Sequence, residues 1–164
     1  MLILIDGHNL VPKIPGLSLS DPEDEMKLVG LLQEYARLRR KKIEVFFDHL
    51  PVGWPRLRRV GTIVVRFSRP GYTADGQIRE RLEKLGKEAR NCLVVSSDFR
   101  VQNYGRVARA QVLSSELFAK ELGYSQNHPD TEINRDDDQL SEEEIKEWMQ
   151  FFGEKKQKKR PESG

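Results

Sequence analysis

The amino-acid sequence predicts an α/β protein with an open, mostly parallel sheet of about five strands and helices on both faces. Three observations carry that expectation. Short, unbroken runs rich in Leu, Ile, Val and Phe recur along the chain, the habit of strands buried on both faces. Helical segments separate these runs, giving the βαβ alternation of a parallel sheet. Three of the runs also stop at an aspartate: Asp6 after residues 2–5, Asp48 after 43–47 and Asp98 after 93–97.

Taken in order, the strands are expected at residues 2–5, 43–47, 62–67, 93–95 and, more briefly, 110–113. The first helix starts at Asp21, where an N-cap residue precedes Pro22 and the acidic turn Glu23, Asp24 and Glu25. Met26, Val29, Leu32 or Gln33, and Ala36 then recur at helical spacing up to about Arg40. A second helix spans about 74–89, with Ile78, Leu82 and Leu85 as its apolar stripe. A short third follows Asp98, and a fourth runs from about Ser114 to Gly123, a residue type that often ends helices. Two long loops, 12–20 and 49–61, flank Asp6 and Asp48 and are placed to shape a groove.

With 164 residues, one domain of about 1–123 and an appendage is the economical reading. Residues 1–123 hold 21 Lys and Arg against 15 Asp and Glu, whereas 124–164 hold 7 against 11. A basic body suits a polyanionic partner. Residues 124–140, with Asp136, Asp137 and Asp138, read as an acidic linker. Ser141 and Glu144 form a capping box for an amphipathic helix over 141–153, whose apolar face carries Ile145, Trp148, Met149 and Phe152. A basic tail at 154–164 is expected to be disordered. The single cysteine, Cys92, reads as a small buried hydrophobe. No apolar run approaches the ~20 residues of a membrane span, and no signal-peptide pattern opens the chain, so a cytoplasmic protein without a membrane partner is expected.

The aspartates carry the chemistry. Parallel strands deliver their carboxyl ends to one edge, where open α/β sheets bind ligands. Asp75 opens the second helix after Thr73 and Ala74 and is expected at that edge too. Each acid also has a structural reading: Asp98 as a helix cap, Asp75 as a first-turn acid, Asp48 as a turn residue. Together, convergent carboxylates repel one another unless a hard cation neutralises them. Mg²⁺ or Mn²⁺ suits such oxygen ligands and bridges to phosphates. Asn9 offers a further ligand or phosphate donor, and Ser96 and Ser97 offer phosphate hydrogen bonds or helix caps.

The segments Leu4-Ile5-Asp6-Gly7-His8-Asn9-Leu10, Val45-Phe46-Phe47-Asp48, Thr73-Ala74-Asp75-Gly76-Gln77-Ile78 and Val95-Ser96-Ser97-Asp98 together resemble the NYN domains, in particular the YacP-like branch of the PIN-like nuclease superfamily. The resemblance covers residues 1 to about 123, and Ser114–Leu117 fits its last element. It implies a three-layer α/β/α sandwich and Mg²⁺-dependent endonucleolytic cleavage of RNA. Some members act on messenger RNA at the ribosome, which makes the ribosome a further expected partner. By position, Asp6, Asp75 and Asp98 match the metal-binding, catalytic carboxylates, Asn9 matches the family's Asn, and Asp48 a further acidic position. Gly76 and Arg79 stand where the family often carries acids, with Glu80 and Glu83 on neighbouring turns.

Cations interleaved with aromatics suit a single-stranded backbone with stacked bases. Trp54, Arg56, Arg58 and Arg59 follow Asp48; Arg66, Arg69 and Tyr72 precede Asp75; Arg100 follows Asp98. Trp54 reads equally as a loop anchor on the core. The leading expectation is thus a metal-dependent endoribonuclease acting on single-stranded RNA, with a catalytically weak RNA- or ribosome-binding module as the alternative. A haloacid-dehalogenase-type phosphatase is disfavoured, because His8 occupies the place of its second aspartate.

Overall fold

The computed structural model describes residues 1–50 and 52–127. The expected linker beyond residue 127, the amphipathic helix and the basic tail lie outside these residues. Six strands form one sheet: β1 (Leu2–Asp6), β2 (Lys42–Phe47), β3 (Leu57–Val60), β4 (Ile63–Phe67), β5 (Cys92–Val95) and β6 (Gln111–Leu113). Their order is β3-β4-β2-β1-β5-β6, and only the β3–β4 pair is antiparallel. The sheet therefore has six strands rather than about five. The additional one is β3, which lies inside the expected 49–61 loop.

The helices are a single turn α1 (Gly7–Leu10), then α2 (Pro22–Arg39), α3 (Ala74–Leu85), α4 (Phe99–Val107) and α5 (Ser115–Asn127). α2 begins as its sequence dictates: the Asp21 carboxylate accepts from the Glu23 amide at 2.9 Å, ahead of Pro22. α3 is shorter than expected, because residues Gly86–Asn91 tighten into a 3-10 turn. α5 runs through Gly123 to Asn127 instead of stopping there; Gly123 is exposed, and nothing in its surroundings demands a helix end.

Two apolar clusters divide the core between the faces of the sheet. Leu28, Leu32 and Tyr35 of α2 and Leu117, Phe118 and Leu122 of α5 cover one face with Ile3, Ile5, Val45 and Val65. Ala74, Ile78 and Leu82 of α3 and Val101 of α4 cover the other with Leu4, Phe46 and Val94. This is the expected α/β/α layering. Cys92 is buried among the strands, and burial pushes its thiol pKa up.

One buried charge belongs to this framework. Glu44 of β2 is 5% exposed and takes a two-pronged contact from Arg81 of α3, Nε to Oε1 at 2.9 Å and a terminal guanidinium nitrogen to Oε2 at 2.8 Å. Arg66 of β4 donates to the same carboxylate at 2.7 Å. Burial alone would raise Glu44, but these two guanidinium groups outweigh it and hold its pKa below the ordinary value. Arg66, expected on the RNA track, is thus engaged in joining strand to helix.

Candidate active site

Strand order reverses at β1: β2, β4 and β3 lie on one side, β5 and β6 on the other. The carboxyl end of that strand is the crevice where ligands of open α/β sheets bind. Asp6 is its last residue. In register, Asp6 lies opposite Phe46, two residues before Asp48, and Ile5 lies opposite Val95, three before Asp98. With strands about 4.8 Å apart, the three acids emerge from adjacent strands at one edge.

Gly7 makes the turn behind Asp6 possible. A Cβ there would stand 2.4 Å from the Phe47 ring and 2.8 Å from the Phe46 carbonyl oxygen. Any side chain would therefore push α1 off β2 and shift Asp6 with it.

Asp6 is 7% exposed. Ser96, fully buried, donates its hydroxyl to Asp6 Oδ2 at 2.9 Å and accepts the Asp98 amide at 3.0 Å. Burial pushes the Asp6 pKa up to about 6; the Ser96 hydroxyl and the Asn9 amide offset part of this, while the charges of Asp48 and Asp98 add to it. Burial thus outweighs the two hydrogen bonds that favour its charged form.

Asp98 caps α4, its Oδ1 accepting from the Arg100 amide at 2.8 Å. Its capping and electrostatic roles therefore coexist. Asp48 serves two neighbours: Oδ1 accepts the first amide of α3, from Ala74, and Oδ2 lies 3.5 Å from His8 Nδ1. Asp75 sits in that first helical turn and accepts from the Thr73 hydroxyl, while Thr73 caps the helix through the Gly76 amide. Its link to the group runs through the Asp48–Ala74 contact.

Asn9 is a tether. Its Oδ1 accepts from the Ser97 amide at 2.7 Å and the Ser115 hydroxyl at 2.6 Å, joining the loop after β5 to the start of α5. Ser97 extends the network, accepting from the Ser115 amide at 2.9 Å and donating to Glu116.

Two acids at this edge carry no strand-end signature in the sequence. Glu25 lies 3.4 Å from His8 Nε2; burial raises its pKa, the two histidines at 8 and 49 lower it, and Asp48 raises it further. Glu116 pairs with Lys13 at 3.0 Å; burial would raise it, but Ser97 and Lys13 hold it below the ordinary value. Both stand in first helical turns, where acids are common for dipole reasons alone. His8 stands between Asp48 and Glu25.

The donor chemistry of the edge fits a hard divalent ion: carboxylate, hydroxyl and amide oxygens, with a buried acid in need of positive charge. Among the described residues, no three His, Cys, Asp or Glu side chains are gathered into a ready-made coordination group. Asp48 and Asp75 accept hydrogen bonds at the start of α3, from the Ala74 amide and the Thr73 hydroxyl, and Asp98 accepts one from the Arg100 amide of α4.

Beside Asp48 opens a cleft of about 450 Å³, lined by His49, Ser68, Arg69, Tyr72 and Thr73. The Arg69 guanidinium lies 4.6 Å from the centre of the Tyr72 ring and 3.6 Å from Glu80. Arg56 and Arg100 are exposed, Arg100 in the first turn of α4 beside Asp98. Trp54 takes the anchor role: its ring meets Phe67 edge-on at 6.0 Å, and Arg58 covers it at 4.5 Å. Among the described residues, no helix is long and apolar enough to cross a membrane.

A family model described as the YacP-like NYN domain matches residues 3–159, well past the sequence-based limit of about 123. Two solved structures share the fold. The crystal structure of Rae1 (YacP) from Bacillus subtilis is 24% identical, covers 78% of this chain and 76% of its own, and superposes with a TM-score of 0.66. A single-substitution mutant of that protein is also 24% identical, with 77% of each chain covered and a TM-score of 0.63. A search of the curated proteins gave no match.

Proposed function

Because the chain belongs to the YacP-like NYN family of PIN-like nucleases, we propose that it is a Mg²⁺- or Mn²⁺-dependent endoribonuclease that hydrolyses phosphodiester bonds of single-stranded RNA. One observation carries the metal dependence: Asp6 is buried, raised to about 6, and faces the charges of Asp48 and Asp98. A divalent ion at this edge would supply an activated water and neutralise the charge on the phosphate. Asp6, Asp48, Asp75 and Asp98 would hold it.

The other groups work around those acids. Ser96 orients Asp6 through its hydroxyl. Asn9 fixes the loop that carries Ser97 and Asp98. Glu25, whose carboxyl is raised by burial, stands beside His8 Nε2, which also accepts from the Asp48 amide. Arg69, Tyr72 and Arg100 flank the edge and suit an RNA backbone with a stacked base. A messenger RNA presented on the ribosome is the substrate we favour within this class, on family grounds.

Asp6→Asn and Asp98→Asn test the reading. Cleavage of single-stranded RNA in Mn²⁺ is expected to fall on the order of 100-fold or more. Undiminished cleavage by Asp6→Asn would refute it.

A second reading, an RNA-binding module of low catalytic power, is favoured by the hydrogen bonds that already engage Asp48, Asp75 and Asp98. Metal titration separates the two. A module binds RNA equally in chelator and in Mn²⁺ and never shortens it; an endonuclease yields fragments with new ends only when metal is present.

A further inference from the structure

Away from the carboxylate edge, α3 and α4 diverge over a second cleft of about 610 Å³. Its floor is apolar and aromatic, formed by Leu82, Tyr104 and Ala108, with Val107 78% exposed at its end. Its rim carries Arg79, Lys87, Arg90 and Arg109 against a single carboxylate, Glu83. That carboxylate already pairs with Arg79 at 3.3 Å, and the Arg79 guanidinium also lies 5.6 Å from the Tyr104 ring centre. The net charge of the rim is therefore strongly positive.

The two helices that form the cleft both start at the carboxylate edge. α3 starts beside Asp75 and α4 at Asp98; Arg79 and Asn103 follow each start by about one turn. From Arg79 to Gly86 the wall runs about 10 Å at 1.5 Å per residue, room for about three stacked nucleotides at about 3.4 Å each. Of the rim cations, Arg79 stands nearest in sequence to Asp75 at the start of α3. Arg109 stands at the far end in a left-handed conformation, φ 63°, where glycine or asparagine would rest more easily.

We propose that this α3/α4 cleft is a second RNA-binding groove that carries the part of the strand flanking the candidate cleavage site. The cations track phosphates, and the Tyr104–Val107 floor receives the ribose and base faces. The proposal rests on the ribonuclease reading for its substrate, but its test needs no cleavage.

The experiment measures binding of the full chain to a fluorescent 12-nucleotide single-stranded RNA in chelator, across a salt series. Lys87→Glu/Arg90→Glu is compared with Lys27→Glu/Arg37→Glu, an equal charge change on α2 across the sheet. All four side chains are exposed, and an unchanged thermal melt confirms the fold of each variant. The groove variant is expected to bind about tenfold more weakly and to flatten the logarithmic salt slope by about 1.4, the release expected for two lost contacts on a single strand. The α2 variant should change affinity less than about threefold. Equal losses in the two variants would overturn the groove. Poly-glutamate bound as tightly as RNA, with the same loss in the groove variant, would assign the cleft to an acidic protein and overturn the RNA assignment. Failure of Asp6→Asn to slow cleavage bears on the nuclease reading alone, since binding here is read without metal.

Discussion

Two buried acids on adjacent strands, Glu44 and Asp6, have opposite surroundings. Glu44 is 5% exposed and meets two arginines; Asp6 is 7% exposed, accepts from the Ser96 hydroxyl and the Asn9 amide, and feels the charges of Asp48 and Asp98. Their pKa values move in opposite directions, below the ordinary value for Glu44 and up to about 6 for Asp6. Both side chains are nearly inaccessible, and Asp6 is the more deeply desolvated. What offsets burial also differs: two guanidinium groups at Glu44, a hydroxyl and an amide at Asp6. Glu44 is paired within the fold and joins strand to helix, whereas Asp6 meets a hydroxyl and an amide but no cationic side chain among the causes of its shift.

The strongest way to break this contrast is to remove each acid in turn. Asp6→Asn should lower cleavage per folded molecule on the order of 100-fold or more, while Glu44→Gln should leave it largely intact. Stability should respond the other way. Glu44→Gln leaves two guanidinium groups short of their partner and is expected to cost about 3 kcal/mol in urea unfolding. Asp6→Asn should stabilise the metal-free protein at pH 7.5 by up to roughly 3 kcal/mol, since the native site disfavours the charged form by about two pH units. If both substitutions destabilise equally, the contrast between the two acids fails.

A pH series sharpens the comparison. Asp6 holds its proton more tightly folded than unfolded, so its contribution is full below about pH 4 and lost as pH rises towards about 6. In chelator, wild-type stability should therefore decline across that window relative to Asp6→Asn, measured by urea melts at half-unit steps. Glu44 has the opposite sign: its contribution is present above the unfolded value near 4.5 and lost as pH falls through its lowered folded value. Adding Mn²⁺ at pH 7.5 should raise the wild-type melting temperature and leave Asp6→Asn unmoved. The smallest effect is expected at Ser96. Removing its hydroxyl in Ser96→Ala should cost about 1–2 kcal/mol, through lost hydrogen bonds to Asp6 and the Asp98 amide.

The parts of the fold that could be read from sequence are those buried on both faces. β1, β2, β4 and β5 announce themselves as mostly apolar runs; β1, β2 and β5 are buried almost throughout, while β4 alternates buried and half-buried residues. β3 does not: Leu57, Arg58 and Arg59 are exposed, so an edge strand with no buried face resembles a loop. The end of α5 was obscured for a related reason. A solvent-facing glycine punctuates a sequence without ending a helix.

The same logic governs the site. Asp6, Asp48 and Asp98 were legible because each ends an apolar strand. Glu25 and Glu116 were hidden because first-turn acids have a sufficient local explanation, and only tertiary structure brings them to His8 and Ser97. Asn9 was visible as a polar residue behind a strand, yet its pairing with Ser97 and Ser115 spans 88 and 106 positions and leaves no local trace.

The outer strands of the sheet carry a different consequence. On one flank β3 presents the adjacent guanidinium groups of Arg58 and Arg59, and on the other β6 is three residues long. Neither margin offers a long neutral ladder of unpaired amides, so two molecules gain little by zipping their sheets together. Self-association through continuous β-structure is disfavoured from both sides, even though the interior strands are rich in the residues that drive it.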